Sequence, residues 1–273
     1  MSNYKKLVKY FAIALASGIV VSIVSLIVYG VGGMVSLFGK TKNNNGEYFD
    51  RNGSFDVSSD IDIIDIDVDN VDVIIESGDK FEVSTDNDDI VYRKNDNKLV
   101  ISGKKAGIFN KRVDSSIVVY VPKGKEISKI ELESGLGGVT INDIRVDILE
   151  MELGAGKVEV DELEVLRKVD IDSGAGEVII DNSNFNNLEL DIGIGNVILN
   201  AKLDGNSEIN AGVGKLELGL VGKDTDYMIH ANKGIGSFII EGSSVSDNTS
   251  YGSGVNKVSV DGGVGSIEVS FVE

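Results

Sequence analysis

The sequence predicts an all-β protein, a parallel β-solenoid in the form of a right-handed, single-stranded β-helix, preceded by one transmembrane α-helix. Three observations lead to this prediction. Residues 11–38 carry no charge. The tripeptide Gly-x-Gly recurs at intervals close to twenty residues, and apolar residues alternate with polar ones on both sides of each tripeptide.

The N-terminal residues 1–38 are predicted to be a membrane anchor. A helix of about 20 apolar residues crosses a bilayer core, and the segment 11–29 has this length and ends at Tyr29, with Tyr10 before it. Tyrosines are common at both membrane interfaces. The alternative is a cleaved signal peptide processed near Ala16, which would leave an unusually short apolar region before the cut.

Charges on either side of the span predict its orientation. Three lysines precede it, two follow it closely, and residues 1–42 contain no acid. This bias favours a cytoplasmic N-terminus and an extracytoplasmic remainder at the cell membrane, so the lipid bilayer is one expected partner. Residues 39–59 are polar and rich in Gly and Asn, which predicts a linker.

The Gly-x-Gly tripeptides indicate a repeat architecture. Self-similarity at a period near twenty is typical of stacked structural units, each of which needs its neighbours to complete a core. The glycines predicted to form the corners of these units are Gly135 and Gly137, Gly154 and Gly156, Gly174 and Gly176, Gly193 and Gly195, Gly212 and Gly214, Gly234 and Gly236, and Gly263 and Gly265.

Each unit is predicted to be strand, corner, strand and polar turn. In one copy Leu188, Leu190 and Ile192 alternate with polar residues. After the glycines the alternation is shifted by one residue and continues with Val197 and Leu199. Alternation with period two predicts a strand with one buried face. A bend at the glycines, with φ positive at the second one, would keep both strands on the same core. The residue between the glycines is then expected to point inward.

The solenoid domain is predicted to span residues 60–273. Residues 60–130 form irregular first coils, and the Gly-x-Gly repeats occupy 131–273. The last strand, "SIEVSFVE" at 266–273, is expected to close the far end, where an uncovered strand edge would invite aggregation.

Composition excludes several functions. Without cysteine, the chain has neither disulfides nor thiolate metal sites. Residues 43–273 contain 21 basic and 44 acidic residues, a net charge of −23, which disfavours nucleic acid as a partner. A phosphate-binding glycine loop requires a following helix, whereas a strand pattern follows each tripeptide here. No organic cofactor is predicted.

Acidic residues recur at fixed places before the glycines. Glu133, Glu152, Asp172 and Asp191 stand two residues before a first glycine, and further acids such as Glu131 stand four residues before it. Equivalent residues of a solenoid stack about 4.8 Å apart, so these acids should form columns of like charge. A divalent cation such as Ca²⁺ would relieve their repulsion, whereas the alternative is a solvated face without bound ions.

Four sequence segments in a fixed order resemble a bacterial family of unknown function that is called "putative adhesin" and is related to the head-GIN domain. They are "IDIDVDNVDVIIESGDKFEV" within 63–83, "LVISG" at 99–103, "IVVYVPKG" at 117–124 and the Gly-x-Gly series from 135. The resemblance covers roughly 55–242. It implies a β-solenoid, often behind a membrane anchor, with some members linked to cell-envelope stress, and it implies no catalytic residues.

The expected function is therefore non-enzymatic: an anchored extracytoplasmic solenoid in an adhesin-like interaction or an envelope-stress role, with an unknown envelope or surface partner. The one histidine, His230, falls on the outward face and is not predicted to act. The alternative is a polysaccharide-active enzyme on the same scaffold. A groove that holds paired carboxylates near Lys or Arg would favour the enzyme.

Overall fold

A computed structural model describes residues 47–49, 53–57, 59–103 and 115–272. No helix that is long and apolar enough to cross a membrane occurs among these residues. The predicted anchor, residues 11–29, lies outside them, as does most of the predicted linker.

The described chain is almost entirely β-structure, as predicted. Its only helical element is a 3-10 turn at Asp224–Asp226. The strands of the first part are β1 (Glu47–Phe49), β2 (Gly53–Asp56), β3 (Ile63–Val68), β4 (Asp72–Gly78), β5 (Glu82–Thr85), β6 (Ile90–Asn95), β7 (Lys98–Gly103) and β8 (Ser116–Pro122). The strands of the repeat region are β9 (Glu126–Leu136), β10 (Val139–Asn186), β11 (Leu188–Asp204), β12 (Asn206–Val221), β13 (Tyr227–Asn232), β14 (Ile235–Ile240), β15 (Ser243–Ser244), β16 (Thr249–Gly252) and β17 (Asn256–Val272).

The repeats stack as parallel coils, each with three faces. The first face precedes the Gly-x-Gly corner, the second follows it, and the third leads to the next coil. In one coil Ile171, Ile180 and Phe185 point inward from these three faces, and all three are almost fully buried. Asn182 and Asn187 have positive φ where the second and third faces end, a conformation that Asn tolerates better than most residues.

The alternating pattern produces the core because equivalent apolar side chains stack from coil to coil. Ile171 pairs in register with Leu190, Leu190 with Ile209, and Ile209 with Val260. These side chains are at most 1 % exposed. The column of buried residues runs through the repeat region, so each coil is stabilised mainly by its two neighbours.

The first coils are less regular than the repeats. Strands β3 and β7 pair in parallel on the first face, and β4 and β8 on the second face. Antiparallel strands then cover this end, with β6 and β1 beyond β7, and β5 and β2 beyond β8. The strands β1 and β2 lie within residues 39–59, the segment predicted to be a linker.

The prediction that the last strand closes the far end is wrong. Strand β17 pairs in parallel with β12 on one side and with β13 and β14 on the other. The outermost coil is therefore formed by β13 and β14, which come earlier in the sequence. The C-terminal strand β17 forms the coil between them and β12. Short antiparallel strands, β16 beside β13 and β15 beside β14, cover the outer edge, which is a common protection against edge-to-edge pairing.

Close backbone contact explains the glycines of the corners better than φ alone. A Cβ atom at Gly176 would lie 1.8 Å from the carbonyl oxygen of Gly156 in the previous coil, and one at Gly214 would lie 1.7 Å from that of Gly195. No side chain fits at such distances. Positive φ adds a second requirement at Gly176 and Gly214, with values of 150° and 147°.

The prediction that the residue between the two glycines points inward is wrong. Ser173 and Val178 on either side of one corner are buried, whereas Ile194 at the equivalent place in the next corner is 55 % exposed. The backbone bends around the core at each corner. The middle residue lies at the apex of this bend, so its side chain projects from the convex side into solvent.

Candidate interaction surface

The middle residues of the Gly-x-Gly corners form one exposed line, which we call the corner ridge. Its members in spatial order are Leu136, Ala155, Ala175, Ile194, Val213, Val264 and Ile235. The coil spacing of about 4.8 Å places the two ends of the ridge roughly 30 Å apart.

The corner ridge is the main exposed apolar feature of the described residues. Five of the eight large hydrophobic residues that are exposed in this part of the chain belong to it. Their exposed fractions range from 48 % at Val213 and Val264 to 69 % at Ile235. Isolated apolar residues on a surface need no explanation, whereas a contiguous exposed patch marks an interaction site.

The first acidic column lies on the first face, three residues before the corner ridge. Its stacking is as predicted, because Glu133 pairs in register with Glu152, and Asp172 with Asp191. Asp67 precedes Glu133 in this column. The column continues through Asn210, Asp261 and Asn232 beyond Asp191.

The electrostatics of Asp172 reveal the repulsion within the first acidic column. Burial raises the pKa of Asp172, and the nearby carboxylates of Asp191, Asp170, Glu152 and Glu189 raise it further. Among the described residues, no lysine or arginine forms an ion pair with Glu152, Asp172 or Asp191. Partial exposure to water lowers the cost of this arrangement.

The second acidic column stands two residues further from the ridge, and lysines of the protein form ion pairs with most of its carboxylates. Lys98 binds Asp65 and Glu131 at 2.7 and 3.1 Å, and Lys129 binds Glu131 and Glu150 at 2.6 and 2.8 Å. The hydrogen bond from Lys129 is the largest cause of the lowered pKa of Glu131.

The ion pairs continue along this column as far as Glu189, whereas Glu208 on the next coil accepts a hydrogen bond from Asn210. Lys168 binds Asp170 at 2.7 Å and lies 3.7 Å from Glu189. The spacing before the glycines predicted the acids of this column but not its lysines. Lys129 and Lys168 stand two residues before an acid on the same face, so an extension of the same alternation would have found them.

Metal binding by Glu133, Glu152, Asp172 and Asp191 stays a prediction. These side chains form a line along the solenoid rather than a compact group. No set of three or more His, Asp or Glu side chains is placed to hold a metal ion within the described ranges.

An open groove of about 600 Å³ lies across the first face, beside the turns that lead into it. Arg167, Lys168 and Lys257 contribute positive charges, and Glu189 and Glu208 contribute negative ones. The two glutamates are register partners on adjacent coils. The groove therefore holds two neighbouring carboxylates close to basic side chains.

His230 lies in the same groove and is exposed, as predicted. Its Nδ1 lies 3.3 Å from the hydroxyl of Ser250, and His230 is also the register partner of Ser259. The sequence analysis missed Ser250 because β16 is antiparallel to β13 and follows no repeat.

Several solved structures of bacterial proteins align with the chain. They include a protein from Clostridium sporogenes described as a "putative cell adhesion protein", with 17 % identity over 84 % of this chain and 99 % of that chain and a TM-score of 0.37. A "putative adhesin" from Bacteroides fragilis has 16 % identity over 85 % and 100 % of the two chains and a TM-score of 0.41. A "putative lipid binding protein" from Parabacteroides distasonis has 18 % identity over 85 % and 98 % and a TM-score of 0.23.

Sequence comparison identifies the family. No curated protein matches the chain. The family model described as Toastrack DUF4097 matches residues 61–234, which is well over half of the chain and contains the first coils, the first five Gly-x-Gly corners and most of both acidic columns. The chain therefore belongs to the toastrack family DUF4097, in agreement with the resemblance found in its sequence.

Proposed function

We propose that the protein is a non-enzymatic, membrane-anchored solenoid that binds a macromolecular partner outside the cytoplasm through its corner ridge, in an adhesin-like role. The observation that carries this proposal is the alignment of five large exposed apolar side chains at one repeated position. Such a line offers a continuous contact to an elongated partner, because every coil contributes one side chain.

The fold itself does not require these apolar side chains. The buried columns on the three faces complete the core without them, and Ala occupies the ridge position at Ala155 and Ala175. Exposed Leu, Ile and Val side chains cost free energy in water. A partner that covers them would recover this free energy, which supports a binding role.

The anchor and its orientation are part of this proposal. Residues 11–29 would cross the membrane with the N-terminus in the cytoplasm, supported by the uncharged span and by the distribution of lysines around it. Protease added to intact cells or protoplasts is expected to digest the chain beyond about residue 45, where the span has ended. Digestion only after lysis would contradict this orientation.

Photo-cross-linking tests the ridge. A photoreactive phenylalanine in place of Ile194 is expected to form cross-links in intact cells. The same substitution at Val255, which is 87 % exposed and lies away from the ridge, is the control and should give few or none. An absence of cross-links at Ile194, Val213 and Val264 alike, or equal cross-linking at Val255, would contradict the proposal.

The groove favours a second candidate function, a polysaccharide-active enzyme. The neighbouring glutamates Glu189 and Glu208 lie beside Arg167, Lys168 and Lys257, an arrangement that supports this alternative. A glycosidase uses two carboxylates on either side of the bond that is cleaved. Release of reducing ends from cell-wall or capsular polysaccharide would support it, provided that Glu189→Gln lowers the rate by about 100-fold or more and Glu159→Gln does not.

A further inference from the structure

We propose that the partner of the corner ridge presents a basic amphipathic α-helix, which lies along the solenoid axis with its apolar stripe on the ridge and its basic flank on the first acidic column. This inference rests on the proposed function of the ridge and specifies the chemistry of its partner.

Charge complementarity indicates the basic flank. Glu133, Glu152, Asp172 and Asp191 line one side of the ridge over four coils. Across the ridge, the next positions carry Lys157 and Lys215, which pair with Glu159 and Glu217. In the part of the chain that the structure describes, Glu152, Asp172 and Asp191 on the first-face side form a line of carboxylates without basic partners. A binding partner would therefore place its positive charges on this side.

The spacing of the ridge indicates a helix. Successive ridge residues lie about 4.8 Å apart. Residues on one face of an α-helix recur every 5.4 Å on average, whereas those on one face of a strand recur every 6.6–6.8 Å. A helix thus matches consecutive coils far better than an extended segment.

The shape of the ridge fits long basic side chains. Ala155 and Ala175 leave a shallow notch between Leu136 and Ile194, and Glu152 and Asp172 lie beside this notch. The apolar stem of a Lys or Arg can lie over alanine while its charged end reaches a carboxylate. The larger side chains of Val213, Val264 and Ile235 would contact the apolar stripe further along.

The same charges disfavour two other occupants. A second copy in ridge-to-ridge contact would bring two acidic columns together, and an anionic lipid surface would be repelled by them. Both occupants are therefore outcomes that the experiment must be able to detect.

The test uses the full-length protein in zwitterionic nanodiscs, with empty nanodiscs as the blank. The probe is a fluorescent 18-residue peptide of Leu and Lys with the leucines on one helical face. Two further peptides serve as controls, one with Glu in place of Lys and one in which Leu and Lys alternate as in a strand. We expect binding of the helical Leu/Lys peptide only, measured by fluorescence anisotropy.

Matched variants locate the binding site. The ridge variant Ile194→Ser, Val213→Ser, Val264→Ser and the column variant Glu152→Gln, Asp172→Asn, Asp191→Asn should each weaken binding about tenfold or more. The control Glu159→Gln, Glu217→Gln, Glu268→Gln changes the net charge equally on the opposite side of the ridge. It should weaken binding by less than about threefold, because it removes only long-range attraction.

Several results would overturn the inference. They are equal losses for the column and control variants, equal binding of the Glu or alternating peptide, and a ridge-dependent dimer of the purified protein in sedimentation velocity. Ridge cross-links to a partner in cells without binding of the Leu/Lys peptide would refute the helix chemistry and leave the ridge function intact. Ridge variants that change neither measurement would refute both proposals.

Discussion

Each Gly-x-Gly corner contains two neighbouring positions with opposite requirements. The second glycine faces the carbonyl oxygen of the coil beneath it, less than 2 Å from where a Cβ atom would lie at Gly176. The residue just before it, Ala175, lies at the convex side of the bend and is half-buried, and its equivalents are Leu, Ile, Val or Ala. The fold thus dictates one position and leaves the other free, so the large apolar side chains at the free position call for an explanation other than stability.

The two acidic columns on the first face also differ from each other, because lysines in the described part of the chain pair with one of them and not with Glu152, Asp172 and Asp191 of the other. The second column, with Glu131 and Asp170, is held by Lys98, Lys129 and Lys168. The first column lies next to the ridge, and the pKa of Asp172 within it is raised by burial and by other carboxylates. Repulsion is thus concentrated beside the surface that we propose for binding.

The largest expected effect is at the corner glycine. Gly176→Val should destabilise the domain by about 3–5 kcal/mol, from the backbone clash and the unfavourable positive φ together. Ala175→Val is the matched control at the adjacent position and should change the free energy of unfolding by less than about 0.5 kcal/mol. Chemical denaturation measures both, and similar losses for the two variants would refute the distinction between these positions.

A smaller loss of stability is expected in the second acidic column. Glu131→Gln should destabilise the protein by about 0.2–1 kcal/mol at pH 7, because it removes a partner of Lys98 and Lys129. The pKa of Glu131 is lower in the folded state, so its contribution is present above the unfolded pKa near 4.5 and is lost as pH falls through the folded value. Thermal unfolding from pH 7 to pH 3 should show the two proteins converging.

A substitution in the first acidic column is expected to change the stability in the opposite direction. Asp172→Asn should stabilise the protein at pH 7 by a few tenths of a kcal/mol, because it relieves repulsion between cross-strand neighbours. The folded pKa of Asp172 is raised above its ordinary value of 3.8. The unmodified protein therefore regains this stability as pH falls through the folded pKa, and below about pH 3.8 the advantage of the variant should disappear. A destabilised variant at pH 7 would contradict the contrast between the columns.

The smallest effect on stability is expected at the ridge. The triple variant Ile194→Ser, Val213→Ser, Val264→Ser should unfold within about 0.5 kcal/mol of the unmodified protein, since surface positions outside the core contribute little. The buried counterpart Leu190→Ser is the control and should cost several kcal/mol, because it leaves a cavity and an unpaired hydroxyl in the core. A ridge variant as unstable as Leu190→Ser would show that the ridge side chains are needed for the stability of the fold.

The coils could be predicted from the sequence because strand alternation and close backbone contact are local and recur in every repeat. Two features could not be predicted, the outward direction of the ridge side chains and the order of the last coils. Alternation continues through Ala175, and only the bend of the backbone turns that side chain outward. The second feature is the order of the last coils. Strand β13 with Ile229 and the later strand β17 with Val258 have equally apolar inward faces, and either could pair with β12. The sequence pattern therefore cannot decide which of them lies next to β12.

The candidate surface could be predicted only in part. The acids of the first column were found from their spacing, and their stacking is confirmed between Asp172 and Asp191. The ridge was assigned to the core, so its role as a surface appeared only from the exposure of Leu136 and Ile194. The groove combines residues of β10, β11, β12, β13 and β17, and no local pattern brings these five strands together.

The central claim is that a partner covers the corner ridge in the cell. Hydroxyl-radical footprinting tests it most directly, because it labels aliphatic side chains in proportion to their exposure. We expect the purified protein to be labelled at Ile194, Val213 and Val264, and intact cells to show at least threefold less labelling there, in line with a buried interface core, with Val255 labelled equally in both. Equal labelling of the ridge in cells and in the purified protein would contradict the claim.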